Sequence, residues 1–215
     1  MRISGGIARG VPLAVPKGDQ VRPATDGMRQ AVFSSLGARV VGAVFWDLFA
    51  GSGAYGLEAW SRGAAGGLLV ERNAKALACI KRNLAAVSQS VGRDPGATRL
   101  VEADVLTWVM PGGGEAADLV FIDPPYEIIP QAAPVLFPRL TRALAAKPEA
   151  LVLFEMPGEL ELAPEGWECV KRLGKGAHQP TVGFFRRSLT SWAGEGETGC
   201  HAAAPARTPT SPRGS

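Results

Sequence analysis

Four residues, Asp123-Pro124-Pro125-Tyr126, directly follow the run Ala117–Ile122. An amine on a base ring is a poor nucleophile because its lone pair is delocalised. A carboxylate beside a proline carbonyl can accept both of its hydrogens, favour a tetrahedral nitrogen and aim the lone pair at an electrophile. Consecutive prolines suit that task, because they fix the backbone direction and leave their carbonyls outside a regular ladder. Asp123 and the Pro124 carbonyl are the candidate acceptors, with Pro125 as the second rigid link. Tyr126 offers a ring on which a base can stack once it leaves its helix. Positioning and electrostatics would dominate such a transfer. No dedicated general base is required, though Asp123 can take the proton late.

The electrophile is suggested upstream. Asp47-Leu48-Phe49-Ala50-Gly51-Ser52-Gly53-Ala54-Tyr55-Gly56 places glycines at 51, 53 and 56 between a strand and a helix. Glycine there allows a sharp turn and close approach of backbone to a ligand. Glu71 lies twenty residues after Gly51 and ends the next strand, where a carboxylate can accept from both ribose hydroxyls. The glycine pattern alone also fits a dinucleotide dehydrogenase. Asp47, just before the loop, would repel a diphosphate but attract the amino group of a methionine moiety. Asp104, followed by Val105, ends a third strand and can accept from an adenine amine. Three acids at consecutive strand ends suit a cationic, phosphate-free nucleoside such as S-adenosylmethionine. The candidate cofactor residues are therefore Asp47, Gly51, Gly53, Gly56, Glu71, Asp104 and Val105.

These residues need strands and helices to hold them. Apolar runs predict strands over 43–49, 67–71, 98–102, 117–122, 150–155, 168–173 and 182–187, the last two joined tightly enough to be antiparallel. Helices are predicted over 27–36, capped by Asp26 and stopped by Gly37, over 55–62, over 73–89 with Asn73 as cap, and over 131–146. Pro134 and Pro138 should bend or shorten the last helix. Alternating strands and helices with near-continuous apolar strands imply an α/β fold with a mostly parallel, doubly covered sheet. Residues 1–25, rich in glycine and proline, can pair as a hairpin or lie across another domain. Residues 189–215 have few core-forming side chains and read as a disordered tail.

The totals narrow the class. The chain has 215 residues, 46% hydrophobic and 20% charged, which suits one globular domain with a short extension. No apolar run approaches a membrane span, and the start lacks the apolar region of a signal peptide, so a cytoplasmic protein is expected. Cys79, Cys169 and Cys200 are scattered and odd in number, so neither a disulfide framework nor a metal site is expected. Residues 1–40 carry six basic and two acidic side chains, whereas residues 41–160 carry ten and thirteen. Such asymmetry suits a polyanion partner, but charge alone equally suits a solvated surface. His178 and the pairs Lys81-Arg82 and Arg186-Arg187 are expected in loops or on solvated faces, and Trp46, Trp60 and Trp108 in packing.

Together these motifs place a resemblance over residues 2–187. The chain resembles the bacterial 16S ribosomal RNA guanine-N2 methyltransferases of the RsmD type. It does so in Arg2-Ile3-Ser4-Gly5-Gly6, Arg9-Gly10, Leu13, Val15-Pro16, Arg22-Pro23, Thr25-Asp26, Arg29 and Phe33, in the run from Asp47 to Ala64, in Val70-Glu71, and in Asp123 to Tyr126. The resemblance implies a class I S-adenosylmethionine-dependent methyltransferase fold, Rossmann-like, whose seven-stranded mostly parallel sheet has an antiparallel C-terminal strand. It also implies an N-terminal β-hairpin extension over 1–25, a methyltransferase domain over 26–188 and a tail over 189–215. The implied reaction is methylation of guanine N2 in 16S ribosomal RNA, on the small subunit or an assembly intermediate, by a monomer. Arg2, Arg9, Arg22 and Arg29 become candidates for RNA phosphates. Three departures stand out: Ala24 where the family usually has threonine, Tyr55 where leucine is usual, and the extra C-terminal tail.

The residue-level chemistry alone leaves other readings open. DNA adenine or a protein glutamine amide presents the same kind of amine. A nicotinamide-dependent oxidoreductase would share the glycine loop, and a non-catalytic RNA-binding assembly protein would share the fold.

Overall fold

In a computed structural model, residues 1–16, 24–174, 176 and 179–188 are described. The predicted tail, His178 and Arg22 lie outside them. Seven strands form one sheet: β1 (Val44–Leu48), β2 (Gly66–Glu71), β3 (Thr98–Glu102), β4 (Leu119–Ile122), β5 (Leu151–Pro157), β6 (Trp167–Leu173) and β7 (Pro180–Arg187). Their order is β3-β2-β1-β4-β5-β7-β6. The first five run parallel, and β7 is antiparallel to both β5 and β6. This is the mostly parallel sheet that the alternating pattern implied.

Side chains alternate along each strand, so the sheet divides two cores. Phe45, Leu69, Phe121 and Leu153 face α1 (Ala24–Leu36), α2 (Ala54–Ser61) and α3 (Ala74–Val91). Trp46, Leu48, Val120, Ile122 and Phe154 face α4 (Ile129–Ala143). Both faces are thereby dry, which is why β4 and most of β5 are uninterrupted apolar runs.

Three boundaries differ from expectation for identifiable reasons. The first helix starts at Ala24, before Asp26, and Asp26 sits in its first turn paired with Arg29 rather than capping it. β1 stops before Phe49 because that residue takes a left-handed conformation, φ 62°. The last helix runs through Pro134 and Pro138. Both prolines and Pro130 lie on its exposed side, so the carbonyls that lose an N–H partner can turn to water. Its other side buries Ile129, Leu136, Phe137 and Leu140, which holds the helix together. Asn73 caps α3 as expected, accepting from the amides of Lys75 and Ala76.

Residues 1–14 do not extend away from the domain. They make a tight antiparallel turn with a single Arg2–Pro12 bridge, and Ile3, Ala8 and Leu13 join the core under α1 to α3. The turn lies flat on the end of α2: Gly6 adopts φ 77°, and a Cβ there would stand 2.0 Å from the Ser61 carbonyl oxygen. Buried Asn83 on α3 stitches it further, bonding both the amide and carbonyl of Ala14 and also the Ser52 carbonyl of the glycine loop.

Candidate active site

Strand order reverses between β1 and β4, and such a switch point leaves a crevice beyond the carboxyl ends of the strands. Here it is a cleft of about 530 Å³. Its wall takes Asp47 from β1, Glu71 from β2, Ala103 and Val105 after β3, Asp123 to Tyr126 after β4, and Glu155 from β5. The two motifs that the sequence singled out, nearly eighty residues apart, therefore open on one space.

The glycine loop forms the floor. Phe49 is the one non-glycine residue at positive φ among the described residues, a conformation that costs about 1–3 kcal/mol and clusters at ligand sites. Gly51, also left-handed at φ 55°, lines the cleft and donates its amide to Glu71 Oε2 at 2.9 Å. Gly53 and Gly56 are not part of the lining. Gly53 caps α2 at φ 77°. Gly56 lets the helix pack on the sheet: a Cβ there would lie 2.5 Å from Leu69 and 2.7 Å from the Phe45 ring. Their assignment to the cofactor is corrected accordingly, since they shape the helix that follows the loop. We expect Gly56→Ala to destabilise the protein by about 1–3 kcal/mol through overpacking, read by denaturant unfolding. A neutral result would mean that helix and strand are not in tight contact.

The three acids differ in environment. Asp47 is buried, and its Oδ2 accepts from the Gly56 amide at 2.8 Å. Burial raises its carboxyl to about 8; that amide bond and Arg29 oppose the rise, while Glu71 adds to it. Such a group ionises when a cation arrives beside it. Glu71 is half-buried, and its Oε1 accepts from the amides of Arg72 and Asn73. Asp104 is not part of the lining, to which its neighbours Ala103 and Val105 and its partner Arg72 belong. Its carboxylate takes the Leu106 amide and pairs with Arg72 at 2.9 Å, both of which hold it below the usual range. An adenine amine would have to displace Arg72 to use it. Arg139 of α4 fixes this segment by donating to the carbonyls of Val105, Leu106 and Trp108.

Beyond Asp123 the wall changes character. The Tyr55 ring stacks on Phe121 at 5.3 Å, and its hydroxyl donates to Glu155 Oε2 at 3.1 Å. Burial, then Glu155 and Asp123, raise the hydroxyl well above its ordinary range, so it stays protonated.

The comparisons with known proteins agree on one family. The family model "Conserved hypothetical protein 95" matches residues 1–183. The chain belongs to this family. Ribosomal RNA small subunit methyltransferase D of Escherichia coli K12 is 38% identical over 126 residues, 59% of this chain and 60% of that one. The protein of the same name from Haemophilus influenzae is 28% identical over 173 residues, 80% of this chain and 86% of its own. The solved structure of Escherichia coli yhhF superposes with a TM-score of 0.68 at 31% identity, covering 87% of this chain and 97% of that chain. The Escherichia coli match thus spans less than two thirds of the curated relative. The resemblance read from the motifs is the family found, and the sheet is that of the class I methyltransferases.

For a member of this family, the N-terminal arginines fall out unequally. Arg2 and Arg9 are exposed. Arg29 is not available to an RNA phosphate: it is 1% exposed, and its guanidinium bonds Asp26, Glu58 and the Arg2 carbonyl. That correction has a physical cause, because Arg29 points inward from α1 toward a carboxylate that has no exposure to solvent. Motif reading also missed Phe49, Arg72 and Glu155 in the wall. Only Glu155 carried a signal, an acid at the end of an apolar strand like Asp47, Glu71 and Asp123.

Proposed function

We propose that the protein transfers a methyl group from S-adenosylmethionine to the N2 amine of a guanine in small-subunit ribosomal RNA. The observation that carries this is one cleft holding both Asp47, Gly51 and Glu71 and the Asp123-Pro124-Pro125-Tyr126 turn. Members of the family bear the name of small-subunit ribosomal RNA methyltransferases, which supports RNA as the substrate. A buried carboxyl beside the glycine loop becomes a charged partner when an ammonium displaces its proton, which favours a cofactor with a methionine moiety over a nicotinamide dinucleotide.

In this reading the cofactor's sulfonium supplies an electrophilic methyl group. Asp47 binds the methionine ammonium, Gly51 brings its backbone close, and Glu71 accepts from the ribose. Asp123 and the Pro124 carbonyl hold the two hydrogens of the guanine amine and point its lone pair along the line of transfer. Tyr126 stacks on the base. The amine's surplus proton leaves through Asp123. Arg2 and Arg9 contact phosphates of the RNA.

The test is labelled S-adenosylmethionine with small subunits lacking their native base methylations, followed by digestion of the RNA. Labelled N2-methylguanosine supports the reading. A protein that binds the cofactor yet labels neither subunits nor free ribosomal RNA would sink it.

The Asp47 assignment has its own signature. Below pH 8 this carboxyl carries a proton when no cation lies beside it, so a bound ammonium must displace it. Affinity for S-adenosylhomocysteine should rise up to about tenfold per unit from pH 6 towards neutrality, and turn over near pH 8 as the ligand's own amino group deprotonates. Calorimetry in buffers of different ionisation enthalpy should find close to one proton released per ligand near pH 6.5. Adenosine, which lacks the ammonium, should bind without either effect. Flat affinity with no proton release would remove Asp47 from the ammonium.

A further inference from the structure

The sheet order puts β5 on the far side of β4 from the cofactor strands. Ile122 pairs with Phe154, so Asp123 and Glu155 are the next residues along two adjacent parallel strands. Neighbouring strands lie about 4.8 Å apart, and both side chains line the cleft. Glu155 is only 6% exposed, and the Tyr55 hydroxyl, anchored on Phe121, holds one of its oxygens. A carboxylate so placed only accepts, and in a dry wall its hydrogen bonds discriminate strongly.

Guanine presents two donors side by side, the N1–H and the N2 amine. Adenine presents a lone pair at N1. In a base whose N2 amine reaches Asp123 and the Pro124 carbonyl, N1–H lies on one side of the amine and the N3 lone pair on the other, and an acceptor on the next strand selects the orientation that turns N1–H towards it. We propose that Glu155 reads the Watson–Crick edge of the target base by accepting the guanine N1–H, with Tyr55 as the positioning residue that orients the carboxylate. This deepens the guanine-N2 reading above and rests on it. It also gives a role to tyrosine at 55, where the family resemblance leads one to expect leucine.

The test uses small subunits rebuilt around ribosomal RNA carrying either guanine or 2-aminopurine at the methylated position. 2-Aminopurine keeps the N2 amine but has a lone pair at N1. The unmodified protein should favour guanine in kcat/KM by about 10²-fold or more, because a buried acceptor then faces another acceptor. In Glu155→Gln, the Tyr55 hydroxyl holds the amide oxygen and turns the NH2 to the base. That variant should lose guanine activity, gain on 2-aminopurine, and bring the ratio within about tenfold of unity. If Glu155→Gln loses affinity for S-adenosylhomocysteine, Tyr55→Phe carries the test, and its ratio should fall by at least about threefold. An unmodified protein that takes both bases equally overturns the proposal and leaves N2 methylation standing. So does a glutamine variant that slows both in proportion, or a Tyr55→Phe ratio that does not move. Methylation of neither base overturns the guanine-N2 reading itself.

Discussion

Asp123→Ala is expected to lower kcat for methyl transfer by about 10²–10³-fold, the loss typical of removing one preorganised polar partner of a reacting group. Its affinity for S-adenosylhomocysteine should be unchanged, because Asp47, Gly51 and Glu71 stand on β1, on the loop after it and on β2. The KM for RNA should move little, since the contact matters most as the nitrogen becomes tetrahedral. Asp123→Asn keeps one acceptor oxygen and should fall between the two. Single-turnover labelling with saturating cofactor separates the chemical step from release of product. Alanine at 123 with more than half the normal rate would leave the Pro124 carbonyl and Tyr126 as sufficient, and Asp123 would lose its place in the reaction.

Much of this site was legible because its residues obey a rule visible in one dimension: an apolar strand ending in an acid. Asp47, Glu71 and Asp123 follow it, and the parallel sheet gathers all three at one edge. Glu155 follows it too, but no motif flanks it, so nothing in the sequence raised it above an ordinary strand end. Phe49 gave no sign at all, since phenylalanine does not advertise a left-handed backbone. The glycines were legible as a group and not singly. Spacing alone cannot separate Gly51, which meets the cleft, from Gly56, which meets Leu69 and Phe45.

Arg29 teaches the opposite lesson. Its charge suggested RNA, yet the helical spacing already placed it with Val32, Phe33 and Leu36 at three, four and seven residues on, the inner face of α1. Periodicity should have outweighed charge. What periodicity does not supply is the partner, because Glu58 arrives from α2 through tertiary packing.

That partner is the basis of the second large effect. Glu58 has no exposure, and its two oxygens receive the Ser4 amide at 2.7 Å, the Ser4 hydroxyl at 2.8 Å, Arg62 at 2.8 Å and Arg29 at 3.4 Å. Glu58→Ala would take from the buried Arg29 guanidinium one of its two carboxylate partners and remove both Ser4 hydrogen bonds that tie the N-terminal turn to α2. Breaking such a pair costs about 3–5 kcal/mol, far more than the pair itself contributes over an apolar replacement. At roughly 2–4 °C per kcal/mol for a chain of this size, Tm should drop by on the order of 10 °C. Glu58→Gln keeps one acceptor oxygen for Ser4 but loses the second acceptor and the charge, and should fall between. The exposed Glu165→Ala should stay within about 0.5 kcal/mol of the parent. The damage should reach the cleft as well, because Met1 lines it and receives the Ser52 hydroxyl at 3.3 Å on its sulfur. Amide exchange at Ile3, Ser4 and Gly10 should therefore rise together with the Kd for S-adenosylhomocysteine. A Glu58→Ala protein that melts within 2 °C of the parent would reduce this cluster to a bystander. It would also free Arg29 to be reconsidered as a contact for RNA.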